Sequence, residues 1–329
     1  MSEIRGVVLN GTGGIWRVRA QDGQTFDAAL RGRLKKEDAG KRTDGSMRRD
    51  TVTSSATKLK LAVGDEVILE PDERGGAWAI ADILPRRSRL ARRAPGGGHG
   101  ERIVAANVDQ VVIIFAAAKP EPHTRMLDRF LVIAEANELA ARIVINKVDL
   151  VGQSVAQTRF ADYARAGYPV NYTSTKQVIG LDDLRANLDE RVSVFTGPSG
   201  VGKSSLLNTL FPGLNLRVGE VSESVNKGRH TTVGATMIPL PGPESTGYVV
   251  DTPGLREVGM WALPPEHFDA LFPEFRSYLG QCRFGDCTHT VEPDCAIKSA
   301  ITAGDVSQTR YESYLKLRDE LEQADFSRW

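Results

Sequence analysis

The sequence predicts a multidomain protein: a small β-domain, then an α/β domain, then a short cysteine-containing domain with helices. Three observations support this order. Short apolar runs alternate with turn residues up to about residue 84, buried-strand runs alternate with helical patterns from about 103, and all the cysteines lie between Cys282 and Cys295. A chain of 329 residues has the length of two or three domains. We expect domains at 1–85, 103–262 and 263–329, with a linker at 86–102.

The first domain has the pattern of short strands separated by tight turns. Strands and turns at this spacing are typical of a small barrel or sandwich. The expected strands are Gly6–Leu9, Ile15–Val18 and Glu66–Leu69, and the expected turns are Asn10-Gly11, Asp22-Gly23 and Gly75-Gly76. The polar segment from Lys35 to Thr57 has few large apolar side chains and predicts a mobile loop.

Charge is unevenly distributed along the chain. Basic and acidic residues both total 42, yet residues 1–93 hold 19 basic and 13 acidic side chains, a net charge of +6. Five arginines between Arg86 and Arg93 precede a run of proline and glycine at 95–100, which predicts a basic linker. A positive front end could approach phosphate. An unevenly charged, solvated surface explains the same counts equally well.

The middle of the chain predicts a mostly parallel sheet covered by helices. The expected strands are Gln110–Ala117, Ala141–Ile145, Val192–Thr196 and Tyr248–Val250. A helical pattern at Arg125–Leu139 connects the first two, as in α/β folds. A further amphipathic helix is expected from about Ser307 to Gln323.

A complete phosphate-binding P-loop follows the strand at Val192–Thr196. Its glycines let backbone N–H groups turn toward phosphate oxygens, and the helix that follows adds a positive dipole. Lys203 is expected to contact the β- and γ-phosphates and Ser204 to bind Mg²⁺. A chance glycine-rich turn is disfavoured because strand and helix both flank it. The loop comprises Gly197, Pro198, Ser199, Gly200, Val201, Gly202, Lys203 and Ser204.

A second motif selects the base. Asn146, Lys147, Val148 and Asp149 follow a predicted strand, as the guanine-specificity motif of GTPases does. Asp149 can accept hydrogen bonds from the guanine edge that adenine lacks, Asn146 can bond the other edge, and Lys147 can lie over the ring. The loop containing Ser174 fits the segment that completes a guanine pocket, although a serine–threonine turn before a helix explains it equally well.

Two further segments resemble the switches of GTPases. Asp251 to Gly254 follows a strand and matches the motif in which the aspartate holds Mg²⁺ through water and the glycine senses the γ-phosphate. Upstream, Thr232, favoured over Thr231, is expected to complete Mg²⁺ coordination. A flexible polar loop is the alternative interpretation of that upstream segment.

The motif order is permuted, because the base motif at 146 precedes the P-loop at 197. Chain termini that lie close together allow such a circular permutation without loss of the sheet. Leu255 occupies the position where many GTPases carry a water-orienting glutamine, so intrinsic hydrolysis should be slow. His230 is the candidate that replaces it, and a surface histidine with no catalytic role is the alternative.

Cys282, Cys287, His289 and Cys295 form a candidate zinc site. Three thiols and one imidazole are a closed tetrahedral ligand set. Free buried cysteines are the alternative, and the lack of a Cys-x-x-Cys pair disfavours redox chemistry. The cysteine usage and the absence of a leader pattern or long apolar run indicate a cytoplasmic protein.

Together these motifs resemble the RsgA (YjeQ) family, the circularly permuted GTPases of small ribosomal subunit biogenesis. The resemblance implies an N-terminal OB-fold barrel, a permuted G domain and a zinc domain. It also implies GTP binding by residues 146–149 and by the loop extended to Ser205, zinc binding by the four ligands, and catalysis by His230. Late maturation of the small subunit and its rRNA, with release after subunit-stimulated hydrolysis, is the implied function.

The leading hypothesis is therefore a monomeric GTPase that uses Mg²⁺ with GTP, holds one structural Zn²⁺ and binds the small ribosomal subunit rather than a membrane. A nucleotide-gated binding scaffold with incidental hydrolysis is the rival from another class. A small-molecule kinase is disfavoured by the base motif.

Overall fold

The computed structural model describes residues 3–31, 60–72, 77–93, 101–216, 235–242, 246–251 and 267–326. The predicted mobile loop at 35–57, the turn at Gly75-Gly76 and the segments containing His230, Thr232, Gly254 and Leu255 lie outside these residues. In the described parts of the chain, no helix is both long and apolar enough to cross a membrane.

The N-terminal domain is a closed five-stranded barrel. Its strands are β1 (Ile4–Thr12), β2 (Ile15–Ala20), β3 (Thr25–Leu30), β4 (Glu66–Pro71) and β5 (Trp78–Ile83). Neighbouring strands follow the order β1-β2-β3-β5-β4. Alternate residues point inward and bury Val8, Val18 and Ile80 completely. A closed five-stranded barrel confirms the predicted OB-fold class.

The first hairpin turn lies three residues later than expected. Asn10 and Gly11 were predicted as a turn, but β1 runs through both, with a register shift between Val8 and Asn10. Gly13 and Gly14 make the turn, at φ +61° and +85°. A two-residue hairpin needs positive φ at both positions, which two glycines adopt without strain.

The described parts of the predicted linker at 86–102 are built into the fold. Strand β6 (Arg89–Arg93) pairs antiparallel with β7 (Glu101–Ala106), and Leu90 of this ribbon is completely buried in the core of the α/β domain. Arg86 binds Asp65 of the barrel domain in a buried ion pair of 2.6 Å. The pairing of β6 with β7 holds in place two segments that their local composition indicated to be linker.

The central sheet has six described strands: β8 (Gln110–Ala116), β9 (Ala140–Asn146), β10 (Val170–Tyr172), β11 (Val192–Thr196), β12 (Thr236–Pro239) and β13 (Tyr248–Asp251). Their order is β10-β9-β8-β11-β13-β12, and the first five in this order are parallel. Every residue of β8 is buried, with Ile113 and Phe115 in one core and Val112 and Ile114 in the other. The predicted parallel sheet is thus confirmed.

Helices cover both faces of this sheet. Those described in the α/β domain are α1 (Thr124–Ala136), α2 (Gln153–Arg159), α3 (Ala161–Arg165), α4 (Leu181–Ala186) and α5 (Lys203–Leu210). Helix α1 buries Leu127 and Leu131 beneath β8 and β9, because apolar residues recur along it at intervals of three and four.

The C-terminal domain is built on aromatic side chains. Short 3₁₀ turns at Asp269–Leu271 and Pro273–Tyr278 precede α6 (Ala296–Ala303) and α7 (Gln308–Phe326), the second of which confirms the predicted C-terminal helix. The ring of Tyr314 lies 5.2–5.5 Å from those of Phe268, Phe272 and Phe275. Arg310 of α7 fixes this domain to α1 through Asp128.

Candidate nucleotide-binding and metal sites

The carboxyl ends of the parallel strands bring the predicted motifs together. Strand β9 ends at Asn146, β11 at Thr196 and β13 at Asp251, and β10 ends directly before the loop that holds Ser174. Parallel strands place their carboxyl ends at one edge of the sheet, where ligands of α/β proteins bind. The permuted order of the motifs along the chain therefore leaves their spatial arrangement intact.

The P-loop has a backbone that demands glycine. Gly197, Gly200 and Gly202 have φ values of +137°, +76° and +96°. A Cβ on Gly197 would lie 2.1 Å from the carbonyl oxygen of Ile114, and one on Gly202 would lie 2.7 Å from the amide nitrogen of Asn146. These glycines therefore let the loop pass against the neighbouring strand and the base motif while its backbone stays open to phosphate.

Lys203 begins helix α5 and is 4% exposed. Its ammonium group donates to the carbonyl oxygens of Gly197, at 2.9 Å, and Pro198, at 2.7 Å, so it lies across the mouth of the loop. Phosphate oxygens are the stronger acceptors for an ammonium group. The hydroxyl-bearing Ser204 follows at the helix N-terminus, where the dipole favours an anion.

Asn146 connects the base motif to the P-loop. Its side chain is 1% exposed and donates from Nδ2 to the carbonyl oxygen of Val201 at 3.0 Å. Its Oδ1 accepts from the hydroxyl of Thr173 at 3.2 Å. Three loops from different parts of the chain are thus held by one buried amide.

Lys147 adopts a left-handed backbone conformation, with φ +60°. Its ammonium group donates to the carbonyl oxygens of Lys119 and Gly200, each at 2.6 Å, so the side chain lies along the P-loop. An extended lysine stem there offers an apolar surface on which a flat ring can rest.

The side chains of Asp149 and Ser174 are in direct contact. The Ser174 hydroxyl donates to Oδ1 of Asp149 at 2.6 Å and accepts from the backbone N–H of Gln177 at 3.1 Å. Val148, which is 1% exposed, anchors the turn between them. A carboxylate held in this way is placed to accept two hydrogen bonds from a guanine edge.

The remaining Mg²⁺ and switch residues are described only in part. Asp251 ends β13 beside Phe195 of β11, at the same edge as the P-loop. Thr232, His230 and Gly254 lie outside the described residues, so their roles stay predictions.

The four predicted metal ligands form one cluster. Nδ1 of His289 lies 3.5, 3.5 and 3.4 Å from the Sγ atoms of Cys282, Cys287 and Cys295, and the Sγ atoms of Cys282 and Cys295 are 3.9 Å apart. Metal–ligand bonds of about 2.0–2.3 Å in a tetrahedron give edges of roughly 3.5–3.8 Å. Four of the six separations match these edges and all six lie within 4.8 Å, so the cluster can hold one tetrahedral ion such as Zn²⁺.

Electrostatics in the cluster also favour a cation. Burial and the neighbouring sulfur atoms raise the pKa of Cys287 to about 12, because crowded thiolates repel one another. Burial lowers the pKa of His289, but hydrogen bonds to Asp269 and Cys295 outweigh this and raise it to about 9. A bound cation would replace that proton and stabilise the thiolates.

Sequence reasoning missed the residues that hold this cluster in shape. The carboxylate of Glu292 accepts from the backbone N–H groups of Thr288 and Thr290, at 2.9 Å each. Burial raises the pKa of Glu292, but a hydrogen bond from the Thr288 hydroxyl at 2.6 Å, together with the backbone bonds, outweighs it and lowers the pKa to about 2. The Tyr311 hydroxyl of α7 donates to the carbonyl oxygen of His289 at 2.6 Å. The position of Glu292 between two predicted ligands was the one sign of this support in the sequence, and nothing in the sequence indicated Tyr311.

A P-loop and a guanine-specificity loop at one edge of a parallel sheet, with the base motif first in the chain, define a circularly permuted GTPase. The family model for the RsgA GTPase matches residues 83–261. This chain belongs to that family, whose activity is GTP hydrolysis.

Relatives and solved structures agree with this assignment. The chain is 57% identical over 317 residues to the small ribosomal subunit biogenesis GTPase RsgA of Gemmatimonas aurantiaca, covering 96% of this chain and 97% of that one. It is 42% identical to the protein of the same name from Azotobacter vinelandii, over 81% and 76% of the two chains. The crystal structure of YjeQ from Thermotoga maritima matches with a TM-score of 0.75 and 33% identity, over 97% and 99%. The circularly permuted GTPase YloQ matches with a TM-score of 0.70 and 27% identity, over 98% and 96%.

Proposed function

We propose that this chain hydrolyses GTP during late maturation of the small ribosomal subunit, which it binds in the GTP state and leaves after hydrolysis. The observation that carries the proposal is the contact of Asn146 with the P-loop in a chain 57% identical to a small ribosomal subunit biogenesis GTPase. Subunit assembly takes place in the cytoplasm of bacteria, so we place the protein there, as a monomer.

Guanine recognition is assigned to the loops that Asn146 joins. Asp149 accepts from the guanine edge, Ser174 holds its carboxylate, and Lys147 covers the ring. The P-loop and Ser205 bind the phosphates, with Lys203 moving from the carbonyl oxygens of Gly197 and Pro198 to the phosphate oxygens. The phosphates are bound by one loop and the base by the other, so the nucleotide is recognised at both ends.

Mg²⁺ and catalysis are assigned to residues around the P-loop. Ser204 and Thr232 bind Mg²⁺ directly, Asp251 binds it through water, and the amide of Gly254 senses the γ-phosphate. With Leu255 unable to orient water, His230 takes that role when the ribosomal subunit orders its loop.

The metal is assigned as one structural Zn²⁺. The tetrahedral separations and the absence of a fifth ligand position within the described cluster support zinc over an ion that takes oxygen ligands. Purified protein should carry about one Zn²⁺ per chain, and His289→Ala should lose it. His267→Ala, at an exposed histidine of the same domain, is the matched control.

The barrel is assigned to rRNA binding, because OB-folds bind nucleic acid through a strand face and loops and residues 1–93 carry a net charge of +6. We assign the barrel to 1–85, the G domain to 103–262 with strand β6 and the start of β7 added to it, and the C-terminal domain to 263–329.

Co-sedimentation with purified small subunits tests the proposal. The unaltered protein should sediment with subunits in a non-hydrolysable GTP analogue and stay in the supernatant with GDP. His230→Ala should remain bound in GTP, while His267→Ala should be released. Binding that ignores the nucleotide would contradict the cycle, and release of His230→Ala at the normal rate would place catalysis in a ribosomal group.

A further inference from the structure

Asp269 lies against the metal cluster without being a ligand. It begins the first 3₁₀ turn of the C-terminal domain, and its Oδ2 atom lies 3.2 Å from Nε2 of His289. The side chain of His289 is 3% exposed and that of Asp269 is 23% exposed, so the contact is largely shielded from water. The other carboxylate oxygen accepts from the backbone N–H of Ala270 at 2.8 Å, which fixes the orientation of the carboxylate.

The imidazole ring of His289 therefore has two different neighbours. Nδ1 faces the three sulfur atoms at 3.4–3.5 Å, and Nε2 faces Asp269. A neutral imidazole carries its proton on one nitrogen, and a carboxylate beside Nε2 holds the proton there. The lone pair of Nδ1 is then directed at the position of the ion.

We propose that Asp269 is the positioning residue of the metal centre: it holds the ring of His289 with Nδ1 toward the ion and thereby increases metal affinity. The proposal rests on the proposed Zn²⁺ site. Because Asp269 belongs to the first turn of the domain and His289 to the metal loop, the same bond ties these two segments together when the ion is bound.

Tyr311 provides a comparison within the same loop. Its hydroxyl donates to the backbone carbonyl of His289 at 2.6 Å, so it holds the backbone of the same residue and leaves the ring free. Loss of either bond should loosen the loop. Only loss of the Asp269 bond should change which nitrogen faces the ion and how firmly the ring is held.

The experiment measures metal binding of full-length Asp269→Ala, Asp269→Asn and Tyr311→Phe. Zn²⁺ affinity is determined by competition with a chromophoric chelator, and ligand geometry is followed by the absorption spectrum of bound Co²⁺. Folding of each variant is checked by a thermal melt in saturating Zn²⁺.

Asp269→Ala should bind Zn²⁺ roughly 10–100-fold more weakly, the usual effect of removing a carboxylate that supports a metal-bound histidine, and should alter the Co²⁺ spectrum. Asp269→Asn should lose less, because its amide oxygen still accepts from Nε2–H. Tyr311→Phe should lower the melting temperature while leaving the Co²⁺ spectrum unchanged.

Unchanged affinity and spectrum in Asp269→Ala would overturn the proposal and leave Asp269 with only its hydrogen bond from the backbone N–H of Ala270. Equal changes in Tyr311→Phe would also overturn it, since loop stability would then explain both variants. If the unaltered protein took up neither metal, the proposed Zn²⁺ site would itself be wrong, and this role with it.

Discussion

The side-chain amide of Asn146 donates a hydrogen bond to the backbone carbonyl of Val201 across 3.0 Å, although 55 positions separate the two residues in the chain. The contact joins the loop that reads the base to the loop that binds the phosphates. Because both loops follow parallel strands of one sheet, circular permutation changes the order in which they are synthesised and leaves their contact unchanged.

Base specificity should depend on the charge of Asp149. We expect Asp149→Asn to weaken GTP binding by roughly 10²–10⁴-fold, since two hydrogen bonds to a charged group are lost at about 1.5–3 kcal/mol each. Affinity for xanthosine triphosphate should rise, because the amide can donate to its 2-oxo group. Competition with a fluorescent GTP analogue measures both effects. Asp182→Asn, an exposed acid on α4, should bind GTP normally, and equal losses in the two variants would contradict the assignment.

The attachment of the C-terminal domain should depend on Arg310. The side chain of Arg310 is 2% exposed, and its guanidinium pairs with Asp128 of α1 and with Glu274. Arg310→Met would leave two buried carboxylates without a cation, which costs about 3–5 kcal/mol of unfolding free energy. Arg165→Met removes a more exposed ion pair, with Asp162 of the same helix α3, and should cost less than about 1 kcal/mol. Urea unfolding measures the loss of unfolding free energy in each variant. Similar losses in the two variants would contradict the prediction that the buried ion pairs of Arg310 stabilise the protein more than an exposed pair does.

The contact between the ribbon region and β11 should show a pH dependence. Burial raises the pKa of Asp109, but hydrogen bonds from Arg87 and from the backbone N–H of Val192, with the charge of Arg191, hold it below its usual value of 3.8. A carboxyl with a lowered pKa in the folded state stabilises the protein above its unfolded pKa and loses that contribution as the pH falls.

We therefore expect the difference in unfolding free energy between the unaltered protein and Asp109→Asn to be largest near neutral pH and to shrink below about pH 4. Acid release of the metal affects both proteins and cancels in the difference. Unfolding curves at several pH values provide the measurement, and a difference that does not change with pH would refute the role of this carboxylate.

Val178 is strained in the loop that carries Ser174. It is 72% exposed and has φ +57°, a conformation in which a β-branched side chain crowds its own backbone. Val178→Gly should raise the unfolding free energy by roughly 1 kcal/mol, through relief of this strain. The same change at Val155, which is 56% exposed in helix α2, should lower it by a few tenths of a kcal/mol or more. Thermal melts of both variants measure these changes in stability. Destabilisation by Val178→Gly would contradict the prediction and show that a contact of the valine side chain balances the strain.

Local chemistry explains what the sequence predicted well. The P-loop, the loop from Asn146 to Asp149 and the four metal ligands are short stretches whose residue types suit one task, so each can be recognised without the fold. The parallel sheet was equally clear, because β8 is apolar along its whole length.

Contacts between distant segments account for what the sequence left hidden. Arg310 meets Asp128 across 182 positions and Asp269 meets His289 across 20, and neither pair leaves a pattern in the chain. The ribbon of β6 and β7 was taken for a linker, because arginine-rich and glycine-rich composition gives no sign of a partner strand. Asn10-Gly11 is a common turn dipeptide, and the sequence alone does not show that the nearby pair Gly13-Gly14 forms the two-residue hairpin instead.

GTP turnover with and without purified small ribosomal subunits tests the central claim most directly. We expect slow hydrolysis by the protein alone, strong stimulation by saturating small subunits, none by large subunits, and no turnover of ATP in either case. Asp149→Asn should hydrolyse xanthosine triphosphate under the same stimulation. A rate of GTP hydrolysis that small subunits leave unchanged would contradict the account.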